Sequence, residues 1–167
     1  MNLAKNDCGG APMKVVLPFV LLLMVLTGCD PERIARDNLA KQTSNLYHVY
    51  LNGGRDEARH SLQDAIRLIE DTQVSPPFRK GQAASLFLGY ARLYALERRA
   101  GSNDMAQVYL VKARYWCLRQ DELDGDNAAG CNAYLAKFAA EDKLMDFIDK
   151  WDKGANNGKG PRYIQSP

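Results

Sequence analysis

One cysteine stands where its thiol could react at a membrane surface. Cys29 comes after an apolar run of twelve residues, Val15 to Leu26, and Lys14 precedes that run. A positive residue, a short apolar segment and small residues before a processing point are the layout of a secretory signal. Twelve helical residues extend about 18 Å, well short of the ~30 Å hydrocarbon core of a bilayer. The pattern therefore predicts a signal peptide over residues 1–28 rather than a membrane-spanning helix.

The four residues that end at this cysteine, Leu26-Thr27-Gly28-Cys29, resemble the lipobox of bacterial lipoproteins. The resemblance implies that a diacylglyceryl group is attached to the sulfur of Cys29, that the chain is cut just before it, and that the new amino group is often acylated as well. Each buried acyl CH₂ contributes ~0.8 kcal/mol, so two or three chains such as palmitate anchor a protein where one would not. The alternatives are a chance cysteine in an ordinary signal peptide and an uncleaved apolar anchor.

The residues on either side of this motif bear on where the protein starts and where it is held. Asp30 follows the lipidated position, and in enterobacteria an aspartate there is associated with the inner membrane. We therefore expect a lipid-anchored protein of the cell membrane or outer membrane, facing the periplasm, with the inner membrane favoured. Residues 1–12 are polar, contain Cys8 and precede a well-formed signal that begins at Met13. This suggests that translation starts at Met13 and that residues 1–12 are a start-site artefact.

Two cysteines, Cys117 and Cys131, remain after processing. The compartment beyond the cytoplasmic membrane is oxidising, so an even pair of cysteines predicts a disulfide. Closing the 15-residue loop from 117 to 131 would contribute ~3 kcal/mol in the chain-entropy model. Two buried free thiols are the alternative, and a metal site is a weaker one because no histidine lies nearby.

Other residues that could carry chemistry do not form a recognisable pattern. The two histidines, His48 and His60, do not fit a zinc-binding spacing, and no nucleophile elbow or phosphate-binding glycine loop is present. The acidic run from Asp121 to Asp126 does not follow the order of an EF-hand loop, so a solvated loop is the expectation there. We therefore predict no catalytic residue, no metal site and no cofactor.

The overall charge does not point to a charged ligand. The full chain carries a formal net charge of +2, and removal of residues 1–28 leaves a net charge near +1. A strongly basic surface, which nucleic acids require, is not expected, and no small-molecule substrate is evident.

Apolar residues at helical spacing dominate the processed chain, and strand patterns are nearly absent. We therefore predict an all-α domain over 29–153, followed by a disordered tail over 154–167 that is rich in Gly, Asn and Pro. Helices are predicted over about 31–51, 56–72, 79–100, from 104 onward, and within 128–152. The apolar face predicted for the second helix consists of Ala58, Leu62, Ala65, Ile66 and Ile69.

Two segments repeat at a constant offset of 48 residues: Gly53, Asp56, Ala58, Leu62 and Ala65 recur as Gly101, Asp104, Ala106, Leu110 and Ala113. In each segment glycine is expected to end one helix and aspartate to cap the next. The spacing resembles the turn and second helix of the tetratricopeptide repeat, over roughly 42–72 and 88–118, although that family's usual period is about 34. The resemblance implies antiparallel helical hairpins stacked as a short array, and a small helical bundle is the alternative.

Shape is the functional feature that the sequence suggests. Stacked hairpins present a concave face suited to a peptide or helix. Tyrosine and arginine are favoured at binding centres, and the candidates are Tyr47, Tyr50, Arg92, Arg98 and Arg99. The alternative is that the tyrosines are core and the arginines solvated. We expect a non-enzymatic adaptor or scaffold that binds a protein partner of an envelope machine. A pilotin-like chaperone and a small enzyme or accessory subunit acting on cell wall are the alternatives.

Overall fold

The computed structural model describes residues 31–73, 75–124 and 141–165. Within these ranges the chain forms helices and no strand, which confirms the predicted all-α fold class. The helices are α1 (Pro31–Asn52), α2 (Arg55–Asp71), α3 (Pro76–Arg99), α4 (Asn103–Asp124), α5 (Glu141–Ala155) and α6 (Arg162–Gln165). None of these six is long and apolar enough to span a bilayer. The predicted signal peptide and Cys29 lie outside the described residues.

By its internal contacts the chain divides into two compact units, residues 1–36 and 37–167. The described part of the first unit is the opening of α1, where Arg36 Nε donates to the carbonyl oxygen of Glu32 at 3.4 Å. The second unit contains the hydrophobic core and every residue of the candidate surface described below.

The centre of the second unit is α3, which packs against α2, α4 and α5. Every residue from Gly89 to Glu97 on this helix is buried. A helix that is covered on all sides is typical of a core position. Helix α3 also begins at Pro76, three residues earlier than predicted, because proline is tolerated in a first turn whose N–H groups have no helical acceptor.

Helices α2 and α3 approach each other closely at a glycine. A Cβ atom added to Gly89 would lie 2.9 Å from Cγ1 of Ile66, so only glycine fits there without a shift of the neighbouring helix. All five apolar residues predicted for the inner face of α2 are buried, as are Ala106, Leu110 and Ala113 at the matching positions of α4. The stacking of these pairs as a tetratricopeptide-like array stays a prediction, and the all-α packing is what the structure establishes.

The helix ends are capped differently from the prediction. Asp56 and Asp104 both lie inside the first turns of α2 and α4, where their charge favours the positive helix end, but neither is the capping residue. Gly54 precedes α2, and its N–H donates to Oε2 of Glu57 at 2.9 Å. Helix α3 ends as predicted at Gly101, whose φ of +76° is in the left-handed region that favours glycine.

The segment after residue 153 is not the disordered tail that its composition suggested. Helix α5 continues to Ala155, a turn over 156–158 follows, and Pro161 and Tyr163 are buried. Tyr163 belongs to the main hydrophobic core. Burial of Pro161 and Tyr163 places this Gly- and Asn-rich segment against the core, which composition cannot reveal.

Candidate protein-binding surface

Two of the five residues predicted to bind a partner are buried inside the domain. Tyr50 on α1 is 0% exposed and Arg92 on α3 is 6% exposed. Both meet Asp152 of α5, which is also fully buried. The prediction that Tyr50 and Arg92 line an exposed binding face is therefore wrong, since both side chains are covered by the helices that they join.

The three buried residues form a compact hydrogen-bonded network. Arg92 donates from Nε to Oδ1 of Asp152 at 2.9 Å, and its Nη2 forms an ion pair with the same oxygen, also at 2.9 Å. The hydroxyl of Tyr50 donates to Oδ2 of Asp152 at 2.6 Å and lies 3.1 Å from the hydroxyl of Tyr163. The carboxylate of Asp152 thus connects α1, α3 and α5, and α6 joins the network through the contact of Tyr163 with the hydroxyl of Tyr50.

Burial governs the ionisation of this network. It raises the pKa of Tyr50 well above the ordinary value of 10.0, and the neighbouring Tyr163 and Asp152 raise it further. It also raises the pKa of Tyr163, whereas the hydrogen bond between Tyr163 and Tyr50 and the charge of Arg99 lower it. Burial disfavours the charged form of Arg92, but Asp152, Tyr50 and Tyr47 together outweigh that effect and the pKa of Arg92 is raised. The tyrosines are therefore neutral and the arginine charged.

The other three predicted binding residues are half-buried and engaged within the domain. The guanidinium of Arg92 lies over the ring of Tyr47, 4.9 Å from its centroid. Arg99 Nη2 donates to Oδ1 of Asp149 at 2.5 Å, and Arg98 Nη1 donates to Oδ1 of Asn103 at 2.5 Å. Tyr47 and Tyr50 thus pack against or in the core. Arg98 and Arg99 contact other side chains of the domain and are not freely solvated.

A second buried acid is also committed to a structural contact. Glu97 on α3 is buried and accepts from Arg59 of α2, at 2.6 Å from Nε and 3.3 Å from Nη2. This two-point contact joins α2 to α3. A carboxylate held in this way is unsuited to act as a general acid or base, because both of its oxygens already accept hydrogen bonds from a cation.

The surface that the sequence analysis missed is the outward face of α4. It carries five large apolar side chains that are between 37% and 63% exposed: Met105, Val108, Val111, Tyr115 and Leu118. Their spacings of three, three, four and three residues place them along one side of the helix. We call these five residues the α4 outer stripe.

The opposite side of α4 is apolar as well, which explains why the stripe was overlooked. Ala106, Tyr109, Leu110 and Ala113 are buried against the rest of the core, and their spacing is also helical. The repeat pattern predicted residues of that inner face only, and the remaining apolar residues of α4 form a second set at helical spacing. A second test for helical spacing along 105–118 would have found the stripe without a structure.

The cysteine and histidine residues of the described part of the chain bear on redox and metal chemistry. Cys117 is disulfide-bonded, and its predicted partner Cys131 lies outside the described residues, so the pairing stays a prediction. Within residues 31–73, 75–124 and 141–165 there is no group of three or more His, Cys, Asp or Glu residues that could hold a metal ion. His48 is exposed, and Nδ1 of His60 lies 2.8 Å from the carbonyl oxygen of Asp56.

Comparison with known proteins found no matching family model, no matching curated protein and no matching solved structure.

Proposed function

We propose that this chain is a lipid-anchored, non-enzymatic adaptor of the bacterial cell envelope that binds a protein partner through the α4 outer stripe. The stripe is the observation that carries the proposal. Single exposed apolar residues are common on soluble proteins, but contiguous apolar surface is unusual and marks interaction sites. A helix that is already packed on one side and apolar on the other is suited to receive a second helix.

The lipid anchor supports the same function. Cys29 lies only two positions before α1 begins at Pro31, so lipid on Cys29 would hold the helical domain next to the membrane. Confinement at a surface raises the effective concentration of two membrane-associated partners, and modest contacts then suffice for binding. In this proposal the domain faces the periplasm, and Asp30 favours the inner membrane.

Photo-crosslinking in living cells tests the proposal. A photoreactive amino acid placed at Val111 of the full chain is expected to give one discrete adduct with a protein at high yield. The same amino acid at Arg67, which is exposed on α2, is the matched control and is expected to give no such adduct. Absence of a protein adduct at Val111 would contradict the proposal. An adduct formed only with a newly made, transient subunit would indicate a pilotin-like chaperone instead.

The anchor has a separate test. Metabolic labelling with palmitate is expected to label the chain, and Cys29→Ala is expected to abolish both the label and membrane association. The Val111 adduct should then decrease strongly, because the tether no longer concentrates the chain beside its partner. Palmitate incorporation that persists in Cys29→Ala would contradict the lipobox interpretation.

A further inference from the structure

The charges beside the α4 outer stripe identify the chemistry of what it binds. From Met105 to Arg119, α4 contains three cations and no acidic residue. These cations are Lys112, Arg114 and Arg119, and all three are exposed. At 100° per residue, Arg114 lies on one side of the line through Val111 and Leu118, and Lys112 and Arg119 lie on the other side. An apolar line with cations on both flanks is thus presented to solvent.

The acidic residues of α4 lie at the ends of the stripe rather than along it. Asp104 is in the first turn, before Met105. Glu122 comes after Leu118 and accepts from Arg119 Nη1 at 2.6 Å. The ammonium of Lys112 lies over the ring of Tyr90, 5.1 Å from its centroid, but Lys112 is exposed, as is Arg114. Lys112 and Arg114 beside the middle of the stripe are therefore the cations that a partner would meet.

We propose that the α4 outer stripe docks an amphipathic helix whose apolar face is flanked by Asp or Glu, in parallel or antiparallel alignment with α4. This inference rests on the proposed adaptor function and specifies its partner. From Met105 to Leu118 the stripe rises about 20 Å, which matches three to four turns of a docked helix. Apolar anchors at spacings of three and four residues suit helix-on-helix contact, and complementary charges at the rim set orientation and speed association.

The same charges disfavour a second copy of this chain as the occupant. Two stripes packed antiparallel about their midpoint at Val111 would place Lys112 and Arg114 of each copy beside those of the other. Like charges brought together at an interface are unfavourable, and no acidic residue of α4 lies at that midpoint to compensate.

An anionic bilayer has the negative charge that the cations beside the stripe require. The shape and composition of the stripe nevertheless favour a partner helix. Membrane-surface helices insert Trp, Phe and Leu, whereas this stripe has two valines, one methionine, one leucine and one tyrosine. The opposite face of α4 is packed into the core and cannot turn to add apolar area. The exposed apolar surface is thus a narrow line, which fits a partner helix better than a membrane plane.

A pair of synthetic peptides tests the partner chemistry. Both are labelled amphipathic helices of about 14 residues, the length of the stripe, with leucine on one face. One has glutamate at all flanking positions and the other has lysine. The full lipidated chain is held in nanodiscs of zwitterionic phosphatidylcholine, empty nanodiscs serve as the blank, and fluorescence anisotropy measures binding. We expect the glutamate peptide to bind on the order of tenfold more tightly than the lysine peptide.

Charge reversal provides the decisive variant. The double substitution Lys112→Glu and Arg114→Glu should reverse the preference, so that the lysine peptide binds more tightly than the glutamate peptide. Arg67→Glu on α2 is the matched control and should leave both affinities unchanged. Val111→Ser should weaken both peptides alike, because it removes apolar contact rather than charge. Circular dichroism of each variant verifies that the fold is intact.

Several results would overturn this inference. They are equal binding of the two peptides, no binding, or a preference that survives charge reversal. Loss of peptide binding in nanodiscs containing anionic phosphatidylglycerol would indicate that the stripe lies on a bilayer. A dimer that Val111→Ser dissociates would identify a second copy as the occupant. A Val111 adduct in cells with a protein segment that lacks acidic flanks would leave the adaptor function standing and remove only this inference.

Discussion

Replacement of Arg92 by methionine should destabilise the fold strongly, because it leaves a buried carboxylate without its cation. Asp152 has no exposed side-chain surface, and Arg92 supplies both its ion-pair partner and one of the hydrogen bonds that it accepts. Methionine keeps most of the apolar stem that arginine buries, so the substitution mainly removes charge and hydrogen-bond donors. The hydroxyl of Tyr50 remains, but a single neutral donor cannot compensate a buried negative charge.

The expected loss is about 3–5 kcal/mol in the free energy of unfolding, the usual cost of removing one partner of a buried ion pair. For a domain of this size that corresponds to a decrease of roughly 10–20 °C in Tm. It is a large part of the ~5–15 kcal/mol by which domains are stable. The matched control is Arg119→Met, whose ion pair with Glu122 is 46% and 60% exposed, and it should leave the free energy of unfolding nearly unchanged.

A double variant separates the charge effect from a packing effect. Adding Asp152→Asn to Arg92→Met removes the uncompensated charge with little change of shape. The hydroxyl of Tyr50 keeps Tyr163 as a neighbour at 3.1 Å. The double variant should therefore be more stable than Arg92→Met alone, which is a non-additive result.

Urea unfolding followed by circular dichroism measures all of these variants. The reasoning would be refuted by an Arg92→Met protein within about 1 kcal/mol of the unmodified chain. It would also be refuted if Asp152→Asn, added to Arg92→Met, lowered stability further, because the loss would then come from packing rather than from an unpaired charge.

Three further predictions concern the same core. Above pH 10.0, the ordinary tyrosine pKa, stability should fall, because the unfolded chain releases protons that Tyr50 and Tyr163 retain when folded. Each of these tyrosines would lower the free energy of unfolding by up to about 1.4 kcal/mol per pH unit until the pH reaches its folded pKa. Urea unfolding at about pH 9 and about pH 11 measures this loss. Gly89→Ala should destabilise the fold by about 1–2 kcal/mol, because its Cβ would lie 2.9 Å from a buried isoleucine of α2. Gly81→Ala has open space around it and should stabilise the fold by up to ~1 kcal/mol. The melting temperatures of the two variants should therefore move in opposite directions. Tyr163→Ala should cost about 3 kcal/mol and expose the chain after residue 158 to proteolysis, and the exposed neighbour substitution Ile164→Ala should change little.

Local periodicity accounts for the parts of the fold that the sequence could predict. The buried faces of α2 and α4 follow from apolar residues three and four positions apart, a pattern that needs no knowledge of distant residues. The glycine end of α3 is equally local, since Gly101 marks a left-handed turn. The predicted caps of α2 and α4 were wrong. Asp56 and Asp104 were expected to precede these helices, but each is the second residue of its helix.

The sequence by itself determined the all-α class, the inner helix faces and the Cys29 motif, because each is written in neighbouring residues. Only the tertiary structure decided what happens to Tyr50, Arg92 and Tyr163. Tyr50 meets Asp152 across 102 positions of the chain, and Arg92 meets it across 60. Whether a tyrosine or an arginine faces solvent depends on which distant element covers it. For the same reason only the structure showed that the second apolar face of α4 is left exposed.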